Sequence, residues 1–378
     1  MKKLTVVIVS YNVRYYLEQC IVSVQRAAKD IDCDIYVVDN DSADGTVDYI
    51  TQRFGNAITL IDSQHNYGFA RANNMAIRQS DSEYVLLLNP DTFVGEDSLV
   101  QVLTFMDQHP QAGGVGVMMH NADGTVARES RRGLPTPWVS LLKMLGRSER
   151  YYMSHLSWDA PAPIDVMSGA FCMLRRDVLQ QTGLLDEDFF MYGEDIDLSY
   201  RILKAGYQNW YVPARIVHYK GESTHKSSFR YVHVFYQAML IFFRKHYGHL
   251  SILVTAPIKL AICMRAVAAL VGMQYWRMRK SLGFYGKRRA DVDYLFVGSK
   301  RMLTECRKLA RRKGLTARFA AAGEMLKVDR CTCIVYDTSL FTFEQIIDYA
   351  RHYADQGVQI GTYSIQSHVV ITLKEVIR

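Results

Sequence analysis

The sequence predicts an α/β protein built on a largely parallel sheet with helices on both faces. Three observations lead there. Short, continuously apolar runs alternate with segments of helical spacing through residues 4–91. Those runs lack the in–out alternation of a half-solvated strand, so both of their faces are to be buried. The polar clusters Ser10-Tyr11-Asn12, Asp39-Asn40-Asp41 and Asn89-Pro90-Asp91 follow three of these runs. In such sheets ligands gather beyond the carboxyl ends of the strands, which makes the three clusters the first place to look for a site.

Taken in order, residues 4–9 make the first strand, β-branched, apolar and too short to follow Met1-Lys2-Lys3 as a secretory signal. Residues 15–29 carry helical spacing through Leu17, Ile21 and Val24. A strand at 35–38, a turn at Asp44-Gly45-Thr46 opening a helix over 47–54, a strand at 58–61, a helix at 70–78 and a strand at 84–88 follow. Between 128 and 163, Gly133 and the prolines 135, 137, 161 and 163 surround the apolar piece 138–145, which predicts a flap bearing a short amphipathic helix. Residues 166–174 read as strand, 194–204 as helix and 210–217 as a strand ending at His218.

Residues 235–276 are strongly apolar, but Lys245, Lys259 and Arg265 keep any charge-free stretch below the ~20 residues that span a bilayer. With Arg244, Arg277, Arg279 and Lys280 flanking it, the segment predicts helices lying in the membrane interface. Re-entrant or spanning helices, and a plain helical core, are the alternatives. A second α/β unit follows, with strands at 293–297, 317–321, 331–336 and 358–363 and helices at 301–312 and 343–353. The expected divisions are therefore 1–235, 236–289 and 290–378.

The net charge of +7 is modest, yet Lys and Arg crowd residues 277–318, where Asp291, Asp293 and Glu305 are the only acids. Such a block suits an anionic membrane surface, and no nucleic-acid partner is expected. Seven scattered cysteines without a CxxC pair read as reduced thiols of a cytosolic protein.

Asp91, after a proline at a strand exit, is rigidly held on the ligand side. Mg²⁺ or Mn²⁺ often takes one or two carboxylates and completes its shell with substrate phosphates. A simple turn explains the same tripeptide. Asp39 suits a base N–H or a ribose hydroxyl, or equally the capping of its own turn. Glu194-Asp195, at a helix start after Phe189-Phe190-Met191-Tyr192-Gly193, puts a carboxylate in a partly apolar pocket, where it can take a proton from a hydroxyl. Acids favoured by the helix dipole are the other explanation; it suits Asp197, paired with Arg201, better than Asp195. His218 is a candidate metal ligand or diphosphate contact, or a structural histidine.

The ordered set Val-Ser-Tyr-Asn (9–12), Asp-Asn-Asp-Ser-Ala-Asp-Gly-Thr (39–46), Asn-Tyr-Gly-Phe-Ala-Arg-Ala-Asn-Asn (66–74), Asn-Pro-Asp (89–91), Ser-Gly-Ala (168–170) and Phe-Phe-Met-Tyr-Gly-Glu-Asp-Ile-Asp-Leu (189–198) resembles family 2 glycosyltransferases of the GT-A fold. The likeness is greatest to the rhamnosyltransferase-like branch and covers about residues 1–245. It implies a Rossmann-like mixed sheet that binds a nucleotide-diphosphate sugar and transfers the sugar with inversion. Ser10, Tyr11, Asn12, Asp39 and Arg71 would surround the nucleotide, with Asn66, Gly68 and Asn73 shaping the wall. Asp91 and His218 would hold the metal, with Asn89 standing where many relatives carry a first Asp. Ser168, Gly169, Ala170, Asn89 and Glu194 would line the sugar and acceptor pocket, and Asp195 would be the base. Arg131-Arg132-Gly133-Leu134-Pro135-Thr136 in the flap is also similar to that branch.

The apolar helices and the basic block add a lipid-linked saccharide acceptor and a peripheral place on the cytoplasmic face of a bacterial membrane, with a homo-oligomer left open. The C-terminal unit resembles a Rossmann unit found beside bacterial sugar-phosphate transferases. However, Gly298-Ser299-Lys300-Arg301 lacks the later glycines that admit a phosphate, which favours a docking or regulatory module. A nucleotidyltransferase and a non-catalytic nucleotide-binding scaffold are the rivals. The first would carry a Gly-rich basic loop after the first strand, where this chain has Ser10-Tyr11-Asn12-Val13; the second would have no use for Asp91 and Asp195.

Overall fold

The computed structural model of the chain describes residues 1–220, 229–248, 252–281, 292–324, 328, 332–373 and 375–378. Residues 221–228 and, within the basic stretch, residues 287–289 lie outside them. The first unit contains strands β1 (Lys2–Ser10), β2 (Cys33–Asp39), β3 (Thr59–Asp62), β4 (Ser82–Leu88), β5 (Thr92–Val94), β6 (Ala112–His120), β7 (Ala162–Ile164), β8 (Phe171–Arg175) and β9 (Gln208–His218). Its helices are α1 (Arg14–Ala27), α2 (Thr46–Phe54), α3 (Phe69–Gln79), α4 (Ser98–Gln108), α5 (Pro137–Met144), α6 (Arg176–Thr182) and α7 (Glu194–Lys204).

The strand order is β3-β2-β1-β4-β8-β6-β9-β5, with β7 on β9. The half formed by β3, β2, β1 and β4 is parallel, and the rest is mixed because β8 runs antiparallel to both β4 and β6. Both faces are covered, as uniformly apolar strands require. Leu4, Val6 and Ile8 of β1 pack with Leu17 and Ile21 of α1, while Val7 and Val9 pack with Ala72 and Ala76 of α3.

Register brings the polar clusters together. Ser10 lies opposite Asp39, and Ile8 opposite Leu88, so the exits of β1, β2 and β4 stand side by side. Leu88 also pairs with Phe171, which sets Ser168-Gly169-Ala170 against Asn89, whose N–H donates to the Ala170 carbonyl at 3.1 Å. Thr92 pairs with His218 and so puts that histidine beside Asp91.

Helices α8 (Phe229–Tyr247) and α9 (Ile252–Ser281) follow. Among the described residues no helix is long and apolar enough to cross a membrane. His246 of α8 meets Asp197 of α7 at 2.7 Å, and Arg201 meets the same carboxylate at 2.8 Å. Asp197 is thus a structural tie, as its helical spacing suggested.

The C-terminal unit comprises β10 (Asp293–Gly298), α10 (Lys300–Lys313), β11 (Ala317–Ala321), β12 (Thr332–Asp337), α11 (Phe343–Tyr353), β13 (Gln359–Ser364), β14 (Val369–Ile371) and β15 (Val376–Ile377). Its sheet has the order β11-β10-β12-β13-β14-β15. At the start of α10, Asp337 accepts from the Ser299 N–H and hydroxyl at 3.1 and 2.6 Å. An amide that a bound phosphate would need is engaged there, and a fixed negative charge stands beside it.

This unit has its own sheet but shares a core with the first. Phe343, Ile346 and Ile347 of α11 pack into one cluster with Phe93, Val217 and Tyr219. Glu96 accepts from the Phe343 and Glu344 N–H groups at 2.8 Å each, an acid at a helix N-terminus. Arg215 of β9 pairs with Glu344 and Asp348 of α11. The two strands next to Asp91 and His218 are therefore braced from the far end of the chain.

Candidate active site

One cavity of about 350 Å³ opens where the strand exits converge. Tyr11, Asn66, Asn89, Asp91, Ser168, Gly169, Ala170, Glu194, Asp195 and His218 line it, ten of the residues expected from the sequence. Ser10, Asn12, Asp39, Gly68, Arg71 and Asn73 do not. Ser10 is buried behind the wall. Asn12 accepts from the Ala43 N–H at 2.7 Å while its own N–H donates to the Ser42 hydroxyl at 2.8 Å, lacing two loops together. Asp39 accepts from the Ser42 N–H at 2.9 Å, and burial pushes its carboxyl up, with that N–H pulling the other way. Asn73 donates back to the Phe69 carbonyl at 2.8 Å. The exposed Arg71 lies over the Tyr67 ring at 4.3 Å.

Gly68 acts through space it leaves empty. Its φ is +80°, and a Cβ there would stand 2.2 Å from the Phe190 carbonyl oxygen, which accepts from the Phe69 N–H at 2.7 Å. This contact clamps the 189–193 loop, and with it Asp195, to the start of α3. Gly68→Ala is expected to lower stability by about 2–3 kcal/mol through a strained φ and a backbone clash. Chemical denaturation measures it; a change below 0.5 kcal/mol would show that the clamp is not needed.

On the β5–β9 side, His218 Nε2 lies 3.2 Å from Asp91 Oδ1 and 3.4 Å from Asn89 Nδ2. The Tyr219 N–H donates to the Asp91 carbonyl at 3.0 Å and fixes this corner. Facing it, Asp195 sits in the first turn of α7. Its Oδ1 accepts from the Ile196 N–H at 2.8 Å, and its Oδ2 accepts from Arg132 at 2.5 Å and the Gly169 N–H at 3.3 Å. Arg132 also donates to the Met167 carbonyl. Burial works against the Arg132 charge, and the Asp195 carboxylate outweighs it and keeps the guanidinium protonated. Glu129 and Lys220, an ion pair at 2.6 Å, complete the rim.

Sequence reasoning placed Arg132 in a flap and gave it no partner. The signal was there: two adjacent arginines amid glycine and prolines need carboxylates or aromatic rings if they fold inward. Arg131 found the Trp158 ring at 3.4 Å, and Arg132 found Asp195.

Glu194 is buried at the wall between strand exits and α7, and burial, with the Asp195 charge adding to it, pushes its carboxyl up to about 8. A carboxyl that ionises later in the folded state than in the unfolded one stabilises the fold fully below its ordinary value of 4.5; that share is lost as the pH rises through about 8. Glu194→Gln keeps the neutral form at every pH. Its stability relative to the parent is expected to climb between pH 5 and 8, read from melting curves of both proteins. Parallel curves would contradict a protonated Glu194.

The family model for glycosyltransferase-like family 2 matches residues 2–233. The chain is 29% identical over 268 residues to an N-acetylglucosaminyl-diphospho-decaprenol L-rhamnosyltransferase of Mycobacterium tuberculosis, covering 63% of this chain and 83% of that protein. It is 26% identical over 185 residues to rhamnosyltransferase WbbL of Escherichia coli, covering 44% and 70%. It is 31% identical over 169 residues to the low-salt glycan biosynthesis hexosyltransferase Agl10 of Haloferax volcanii, covering 44% and 52%. Among solved structures, a Pyrobaculum calidifontis mannosyltransferase in complex with GDP-Man and Mn²⁺ superposes with a TM-score of 0.48 at 18% identity, over 75% of this chain and 81% of that one.

Proposed function

The chain belongs to glycosyltransferase-like family 2, and from that premise we propose that it moves a sugar, rhamnose by likeness to two of its relatives, from a nucleotide-diphosphate donor to a hydroxyl of a lipid-linked saccharide, with inversion. Family membership removes the nucleotidyltransferase and scaffold alternatives. The observation that carries the reading is that the Asp91–His218 corner and Asp195 line one cavity from different walls.

Among the described residues no group of three or more acidic, cysteine or histidine side chains is gathered as a metal cage. Two donors are what a site completed by substrate requires. Asp91 Oδ1 and His218 Nε2 are 3.2 Å apart, close to the ~3 Å between neighbouring ligands around a cation with ~2.1 Å bonds. Asp91 and His218 thus fit Mg²⁺ or Mn²⁺. A bound cation would supply positive charge against the diphosphate oxygen that the sugar leaves.

The protein's own part follows from its geometry. Tyr11 and Asn66 lie on the wall beyond the exits of β1 and β3, where the nucleotide would lie. Asp195 accepts the proton of the incoming hydroxyl. Arg132 and the Gly169 N–H hold one of its oxygens, and the second, with a single N–H contact, keeps a lone pair for that proton. The hydroxyl enters opposite the departing diphosphate, so one displacement inverts the anomeric centre. Exposed apolar side chains on α9 and the basic sequence after it support a peripheral place on an anionic membrane.

A panel of dTDP-, UDP- and GDP-sugars, each with and without Mn²⁺, tests the donor reading by thermal shift. One nucleotide class is expected to raise the melting temperature, with a larger rise when the cation is present. No shift with any of them would overturn it.

A further inference from the structure

Asp195 borders two cavities. Beyond the Arg132–Asp195 pair lies a second one of about 390 Å³, and Arg132, Tyr192, Glu194 and Asp195 line both. Its character differs from the first. Phe235, Met239, Phe242 and Phe243 of α8 form one wall, and Pro135 and Tyr151 of the flap form the other. Besides the arginine and the two acids at the shared wall, the charged side chain that reaches it is Lys143 of α5, whose amine lies 3.3 Å over the Tyr151 ring.

The helices that frame this cavity also carry apolar side chains outward. On α5, Ser140 and Lys143 face the cavity while Trp138 and Leu141 are exposed, as is Leu145 just after it. Helix α5 touches α9. Along α9, Leu260, Met264, Val267, Val271, Tyr275 and Met278 are each more than half exposed. Their spacings of three and four residues put them in one stripe along the helix. An apolar stripe of that length is not an ordinary solvated surface.

The geometry points to the second cavity as the seat of the acceptor's carrier lipid, a polyprenyl diphosphate, with the isoprenoid next to the diphosphate lying against the α8 aromatics and Lys143 meeting the diphosphate. This rests on the glycosyltransferase reading above and adds to it the place and chemistry of the second substrate. Away from the shared wall, Lys143 is the one charged lining side chain among the described residues, and a cation among largely apolar walls suits an amphiphile with an anionic joint. A free polysaccharide would need hydrogen-bonding groups on every side, whereas the hydroxyls here (Ser140, Tyr151, Tyr192 and Tyr236) are set among phenylalanine, methionine and proline side chains. The sugar carried on the diphosphate would reach Asp195 through the shared wall, and the remaining chain would leave past α5 to the stripe on α9, where hydrocarbon can cover both.

The test uses the full chain and a diazirine-tagged farnesyl diphosphate, irradiated and mapped by mass spectrometry. Labels are expected within 137–144 and 229–247, competed by untagged farnesyl diphosphate far better than by farnesol. Met239→Trp, which fills the cavity, should lower labelling at least tenfold, and Lys143→Gln severalfold, with the nucleoside-diphosphate thermal shift kept in both. Labels confined to 252–281, no labelling, or labelling unchanged in both variants would overturn the proposal. Equal competition by farnesol would overturn the role of Lys143 and of the diphosphate. A normal nucleotide shift without cavity labelling would break this inference alone. Cavity labelling in a protein that no nucleoside diphosphate stabilises would uphold the lipid seat and break the donor reading instead.

Discussion

Replacing Asp195 with asparagine will lower the rate of sugar transfer by on the order of 10²-fold or more while nucleoside diphosphate binding persists. Asparagine keeps the size of the side chain and can still accept from the Gly169 or Ile196 N–H, so the cavity wall stays in place. It has no basic oxygen to receive the hydroxyl proton. The proposed nucleotide wall, at Tyr11 and Asn66, is formed by other strand exits and should be untouched. The measurement is a transfer assay beside a thermal shift with the cognate nucleoside diphosphate. Full transfer activity in this variant would remove Asp195 from the mechanism, whatever its geometry.

Arg132→Met is expected to lower stability by about 3 kcal/mol, at the lower end of what breaking a buried ion pair costs. The side chains are 11% and 16% exposed, so the partner left behind is stranded with little water. That residual access, and the cavity beside it, hold the cost to the lower end. Transfer should also slow, because Arg132 and the Gly169 N–H together aim the carboxylate. The informative comparison is the double variant. If the arginine acts only by positioning the base, Arg132→Met should add little to the rate loss of Asp195→Asn, since the group it positions is already disabled. Multiplying rate losses would give Arg132 a separate task, such as a direct contact with the donor.

The catalytic half of the fold was legible because its strands obey a simple rule: buried on both faces, ended by polar clusters. Helix α7 matches the predicted 194–204, and α11 the predicted 343–353. Strand β6 was not foreseen. Its Gly113, Gly114 and Gly116 dilute the β-branched signal, and they are there for packing. A Cβ at Gly113 would meet Ile202 at 2.6 Å and one at Gly114 would meet Met167 at 2.5 Å. No periodicity reports a close approach between elements 53 and 89 residues apart. Helix α4 and the β14–β15 hairpin were also missed, the one uncapped by any side chain and the other very short.

The site shows the same division. Motif order pointed to the cavity, but it could not separate residues that border it from those that hold the loops. Asn12 and Asn73 sit in the same motifs as Tyr11 and Asn66, and only the folded chain tells them apart: Asn66, though it accepts from the Asn40 side chain and the Gly68 N–H, borders the cavity, whereas Asn12 and Asn73 do not. Arg132 needed the tertiary fold, because its partner lies 63 positions away in sequence. The C-terminal unit reads as separate by its βα pattern. The apolar faces of α1, β5 and β9 gave no hint that part of their cover comes from α11.

That shared cover bears on how a gene for this protein tolerates damage. A stop codon after α9 would leave every foreseen active-site residue encoded, yet the shortened product would carry Val13, Tyr16, Phe93, Val217 and Tyr219 packed on one another but stripped of the α11 and C-terminal strand side chains that cover them. Such a product would come out of cells insoluble, and nonsense mutations late in the reading frame would behave as complete losses.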